Sequence, residues 1–284
     1  MAGQAAAVLL SIAVLCPGAR AQTVDLRERY QADQVLTVRG LLQTELHVVA
    51  PAEVAQALAG AITDVQRSEV RYQVVAAQDG YPTRQRALVV TAETTHTEPG
   101  KEPTREESPL VGQLVSIHAA RAEQKTFTTP EGQPLEGSDP ETWCNDLPTD
   151  VLADLQVDVS AVQPGDEWDI PLSTLRRIFS LSPEGEGSLH ARFAEVRVAD
   201  GRQIAVVALQ VQLRDPAGPD QTLSVEATGE YRFDVALGLP HSMELAGTAT
   251  VEGSVTLPSG EVAPMRMEGP IRVALTLEPS PAGQ

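Results

Sequence analysis

"VQPGDEWDIPL" runs from Val162 to Leu172 and admits two incompatible readings. Trp168 is one of two tryptophans in the chain, and Asp166, Glu167 and Asp169 surround it. That grouping could be an acidic site with an aromatic platform, or a turn followed by a strand. Pro164-Gly165 favours the turn: proline presets φ at about −65°, and glycine accepts the positive φ that follows in a type II turn. In the strand beyond it, Trp168, Ile170 and Leu172 point to one face, and Glu167 and Asp169 to the other. The alternation separates the ring from these two carboxylates, so the stretch predicts a core-facing tryptophan.

The same period of two governs the chain from about Ser188 onward. Val207, Leu209, Val211 and Leu213 alternate with Ala208, Gln210 and Gln212. Leu223–Ala227, Tyr231–Val235, Met243–Val251 and Ile271–Leu277 repeat the pattern. Turn signals separate the runs: Asp200-Gly201, "DPAGPD" at Asp215–Asp220, "LGLP" at Leu237–Pro240 and "PSG" at Pro258–Gly260. Asp-Gly is a strong hairpin signal, because a tight primed turn needs positive φ. About five strands in an antiparallel meander are expected here, as short connections favour sequential neighbours.

The N-terminal half is less regular. Val35–Arg39, Glu69–Ala77, Thr83–Thr95 and Gln113–Thr129 read as strands, with "QDGYP" (Gln78–Pro82) as a turn. Pro51–Val65 reads as a helix whose face carries Val54, Leu58, Ile62 and Val65. Leu147–Leu155 and Pro171–Phe179 read as short helices, and the polar, proline-bearing Thr94–Pro109 as an exposed loop. The expected fold is mainly β: a curved antiparallel sheet or half-barrel meander with one or two short covering helices.

Residues 1–21 read as a signal peptide. The apolar run from Ala5 to Cys16 is too short to span a bilayer, and Ala19 and Ala21 suit cleavage before Gln22. Export to the periplasm or the medium follows. A lipoprotein anchored at Cys16 fits less well, since Leu15 is bulky where a small residue is wanted. Residues 22–280 then form a single β-rich domain, or two halves at 22–145 and 146–280. Removal of the leader leaves Cys144 alone, so the mature chain forms no internal disulfide. The net charge of −18 opposes binding to nucleic acid and to anionic membrane surfaces.

"LPTDVLADLQVDVSAVQPGDEWDI" (Leu147–Ile170) and "GEYRFDVALGLPHSMELAG" (Gly229–Gly247) resemble a family of uncharacterised secreted bacterial β-rich proteins. The likeness lies in Gly165, Asp166 and Trp168, then Tyr231, Phe233 and Asp234, then Gly238 and Pro240. "SPLVGQLVSI" (Ser108–Ile117) is similar to a strand start in that family. The resemblance implies export and a curved antiparallel sheet, and it implies no activity.

Chemistry-bearing motifs are scarce. His47, His96, His118, His190 and His241 are scattered without the paired spacing of a zinc site, and no G-x-S-x-G elbow occurs. His96, in the polar stretch, is expected to face solvent. No catalytic residue, metal or cofactor is assigned, and the chain is read as non-enzymatic. An aromatic content of 4% argues against carbohydrate binding. Two functions fit: a module holding a hydrophobic small molecule or lipid inside the curved sheet, or a structural or interaction module of the cell envelope with a self-filled core. The residues expected to line the interior are Leu209, Val211, Val225, Phe233, Leu245, Val251, Val273 and Leu275. Gly247, Ala249 and Ala227 either leave room there or allow tight packing. The expected N-terminus of the native protein is Gln22; Edman sequencing that returns Met1, or a lipid-modified Cys16, would refute the leader assignment.

Overall fold

The computed structural model describes residues 23–49, 60–119, 125–133, 135, 161–179, 181–218, 220–256, 260 and 262–280. Among these residues twelve strands form one antiparallel sheet. They are β1 (Val35–Val48), β2 (Ala61–Gln78), β3 (Tyr81–Thr97), β4 (Thr104–Glu107), β5 (Leu114–Ala119) and β6 (Lys125–Thr128), then β7 (Glu167–Ile170), β8 (Glu186–Ala199), β9 (Arg202–Gly218), β10 (Gln221–Asp234), β11 (Leu239–Thr256) and β12 (Val262–Ser280). Helix α1 (Leu172–Phe179) follows β7. The order across the sheet is β6-β5-β3-β2-β1-β12-β11-β10-β9-β8-β7, with β4 paired to the end of β3. The sheet is curved and does not close into a barrel.

The opening stretch adopts the turn and the strand. Gly165 has a φ of 100°, and the Asp166 amide donates to the Gln163 carbonyl at 3.0 Å, which is the closing bond of the turn. Trp168 is half-buried and packs against the core, Ile170 is buried, and Glu167 and Asp169 are exposed. The C-terminal meander is formed by β8 to β12, each paired to the next. Leu223–Ala227 and Tyr231–Val235 prove to be one phase of a single pattern, and β10 covers both up to Asp234. Both Asp-Gly turns place two successive residues at positive φ: Asp79 at 53° and Gly80 at 81°, Asp200 at 49° and Gly201 at 75°. That pair is the signature of the primed hairpin turn.

One face of the sheet carries the core. Tyr72, Phe193, Phe233, Leu239, Met243 and Leu245 are fully buried there, together with Leu175 of α1. Burial of each such apolar side chain contributes about 1.5–3 kcal/mol, which selects the register strand by strand. The turns at Gly80, Gly201 and Gly238 mark the proximal end of the sheet; the start of β2 and the turn between β11 and β12 mark the distal end.

A segment without regular structure closes the proximal end. Val24, Leu26 and Tyr30 are buried in the core. Val24 bridges Val162 through two backbone bonds of 2.9 Å. The Arg29 amide donates to the Gly238 carbonyl at 2.7 Å, and the Tyr30 amide to the Gly80 carbonyl at 2.8 Å. The segment thus straps the β2–β3 turn to the β10–β11 turn. A methyl group on Gly80 would lie 2.8 Å from the Glu28 carbonyl oxygen.

Four sequence expectations are corrected. Ile62 and Val65 belong to β2, so the Pro51–Val65 helix does not run to its end; the remainder lies outside the described residues. Gly60 has a φ of 129°, far from helical values, and β1 supplies backbone partners to β2. Thr94–Pro109 is largely a hairpin, because backbone pairing of β3 with β4 needs no apolar pattern. Gln113–Thr129 contains two strands, β5 and β6. In "DPAGPD", β9 continues to Gly218, and the buried Asp215 accepts hydrogen bonds from the Ser182 amide (3.1 Å) and hydroxyl (2.7 Å). The helix at Pro171–Phe179 matches α1. The Leu147–Leu155 helix, Cys144 and the leader fall outside the described residues.

Close approach of neighbouring strands depends on missing side chains at three positions. A Cβ on Gly229 would sit 1.8 Å from the Glu244 carbonyl oxygen, on Gly247 2.0 Å from that of Glu226, and on Gly269 1.8 Å from that of Glu45. These glycines admit the neighbouring backbone rather than leaving a void. Gly229→Val is expected to destabilise the protein by about 3 kcal/mol or more through overpacking, read as a lowered urea midpoint at constant slope.

Candidate functional site

Strand register determines which side chains share the inner face. Val38, Val70 and Val89 stand in one row across β1, β2 and β3, all fully buried. Towards the distal end the rows become less covered. Leu46 of β1 faces Ile62 of β2, and both are half-buried. Leu223, Val251 and Met267 form another row across β10, β11 and β12; Val251 is buried, and its two neighbours are half-buried. The inner face is therefore packed shut proximally and apolar but partly open distally.

All eight residues expected to line the interior are buried. Seven of them, Leu209, Val211, Val225, Phe233, Leu245, Val273 and Leu275, belong to the contiguous core. Val251 lies in the distal row. Of the residues that border the partly open surface, Ile62 was read as part of a helix face and Leu223 as the start of an alternating strand, and Leu46 and Met267 were not singled out from the sequence. Alternation marks a residue as inward-facing, but how much material stands over it is a tertiary matter.

Polar groups enter the same distal region. Across the inner face, Ile271, Thr44, Asp64, His96 and Thr104 follow one another on β12, β1, β2, β3 and β4. His96 Nδ1 lies 2.6 Å from Asp64 Oδ1, and its Nε2 lies 3.2 Å from Glu98 Oε1. Lys101 pairs with the other oxygen of Glu98. The hydrogen bond to Asp64, then that to Glu98, raise the pKa of His96 above its ordinary value. Lys101, then His96, lower that of Glu98. His96 was expected to face solvent; its side chain keeps 39% of its surface exposed, as expected, while both ring nitrogens are clamped between carboxylates.

The carboxylates of the opening stretch make a similar arrangement on the outer face. Asp169 is opposite His190 in the ladder, with Oδ1 3.0 Å from Nδ1, and Glu167 Oε2 lies 3.5 Å from Nε2. The bond to Asp169 is the main cause of the raised pKa of His190. Proximally, burial and then the Glu28 carboxylate push the Tyr30 hydroxyl well above its usual range. Among the described residues no three His, Cys, Asp or Glu side chains converge as a metal site. None of their helices is long and apolar enough to cross a membrane.

No known protein-family profile matches the chain, and no curated protein matches it. Among solved structures, a protein provisionally described as a lipoprotein, from Parabacteroides distasonis ATCC 8503, is 11% identical with a TM-score of 0.29, covering 90% of this chain and 98% of its own. An outer-membrane channel from Pseudomonas putida F1 is 9% identical with a TM-score of 0.20, covering 88% and 97%. At these scores neither likeness bears on fold or function.

The two ends of the inner face should respond differently to a buried charge. Leu245→Glu is expected to cost more than about 4 kcal/mol, since a carboxylate in the filled interior has no partner. Leu46→Glu is expected to cost about 1 kcal/mol, because water reaches the distal row. Urea denaturation of both variants, followed by circular dichroism, measures the contrast.

Proposed function

We propose that this is an exported, non-enzymatic binding protein that holds an apolar chain, such as the acyl chain of a lipid, along the distal inner face. The observation that carries the reading is the change in cover along one apolar face. Proximally, Tyr72, Phe193 and Phe233 fill the interior and the Val24–Tyr30 segment seals it. Distally, Leu46, Ile62, Leu223 and Met267 remain half-open. Apolar surface left open in this way favours an occupant, and the site needs no catalytic group. The leader-like residues 1–21 support export. The row at Leu46 and Ile62 is flanked by Asp64, so an uncharged or cationic head group suits the mouth better than an anionic one.

The test is a titration of the purified protein with an environment-sensitive apolar dye, at a concentration shown to be monomeric by light scattering. Saturable binding, competition by a long-chain monoacylglycerol and loss of binding in Leu46→Glu are expected. A flat titration would refute the carrier reading and favour a self-filled envelope module. Loss of dye binding as the protein dimerises would assign the same rows to a second copy of the chain.

A further inference from the structure

The distal end has a feature that an apolar trough does not require. His96 stands between two carboxylates that come from different segments: Asp64 at 2.6 Å, near the start of β2, and Glu98 at 3.2 Å, just beyond the end of β3. Such a row holds together best while the imidazole carries a proton, because both nitrogens then donate to carboxylates. Lys101 neutralises Glu98 from the far side. On the β4 side, Thr104 is opposite His96, and Glu106 is opposite Thr94, two residues back on the same face. On the β1 side, the uncharged Thr44 lies beyond Asp64. Arg67, Glu93 and Arg105 form a separate ion-pair group on the opposite face. With a neutral imidazole, Asp64 loses its one charged partner among the described residues, and Glu106 remains on the same face.

We infer that Asp64, His96 and Glu98 form a proton-operated latch on the distal end of the inner face: the imidazolium ties the tips of β2 and β3 together, and its deprotonation loosens them beside the open apolar rows. The sign follows from linkage. A histidine favoured in its charged form by folding contributes fully below its ordinary value of about 6.5, and loses that contribution as the pH rises through the raised value. Loosening is partial. Pro99 packs against Gly60, where a Cβ would lie 2.5 Å from the proline ring, and this contact is independent of pH. The consequence for cargo, tighter retention at low pH and faster exchange at high pH, rests on the carrier reading above; the latch itself does not.

Hydrogen exchange on the full mature chain, without added lipid, tests the latch directly. Protection factors, corrected for intrinsic exchange, are compared at about pH 5.5 and about pH 8.5, on either side of the histidine range. In the wild type, amides of 62–65 and 94–97 should lose several-fold protection at the higher pH, bounded by about tenfold for each unit by which the pKa is raised. Amides of 70–74, in the buried stretch of β2, should not change. His96→Gln should be unprotected at both pH values to the level of the wild type at high pH, whereas His190→Gln should retain the response. Equal wild-type protection at both pH values, or an undiminished response in His96→Gln, would overturn the latch. The dissociation rate of monoacylglycerol is then measured at the same two pH values. A responding latch with no monoacylglycerol bound at either pH would refute the carrier reading alone.

Discussion

The ladder between β1 and β12 is the interaction on which the rest of the molecule depends. It joins Val35 to Ser280 and runs in register to Val48 and Met267. Without it, the strands from β1 to β6 and those from β7 to β12 would be two sheets, each with a long unpaired edge. With it, one apolar face runs from β5 to β8, and residues from both halves enter one core. The pairing is between chain segments more than two hundred residues apart, so its loop-closure cost is met only by the burial it completes. Arg39, placed on β1 between Glu69 of β2 and Glu278 of β12 at 2.9 and 2.8 Å, marks the same seam on the outer face. These exposed pairs add little energy.

The seam also determines how the interior is filled. Strands of up to 19 residues are longer than the core they cover. The core is closed proximally, where the Val24–Tyr30 segment is tied to the two turns at Gly80 and Gly238. At Gly229, Gly247 and Gly269 the backbone of the neighbouring strand comes too close for a side chain. Farther along, the same strands carry apolar side chains, Leu46, Ile62, Leu223 and Met267, that are only half-covered. The gradient of cover and the proposed binding surface are two aspects of one mismatch between strand length and core length.

Charge is distributed to suit this plan. Ion pairs such as Arg67 with Glu93 and Arg266 with Glu252 lie between strand neighbours, where screening keeps each weak. The histidine clamps differ, because their strength depends on protonation within the physiological range. His190 braces the short edge strand β7 from the outer face, and His96 braces the distal strand tips from the inner face. Both raise stability in the same direction of pH, towards the acidic side.

The class of fold and much of its local grammar are legible in the order of residues alone. Period-two alternation from Leu209 to Leu277 places the inward residues correctly, since that pattern is a direct record of a half-buried sheet. Pro164-Gly165, Asp79-Gly80 and Asp200-Gly201 name their turns because backbone sterics alone demand those residues. The tertiary structure decided everything that depends on partners remote in sequence. Ile62 and Val65 satisfy a helical spacing, yet β1 draws them into a strand. Thr94–Thr97 and Thr104–Glu107 carry no apolar signal, yet backbone pairing makes them β. Val24, Leu26 and Tyr30 form no periodic pattern, yet they close the proximal end. Asp64 and His96 are 32 residues apart and meet only through the β2–β3 register. Local sterics and periodicity are written in neighbouring residues; the meeting of charges needs the register between strands, and the single shared core arises only when β1 pairs with β12.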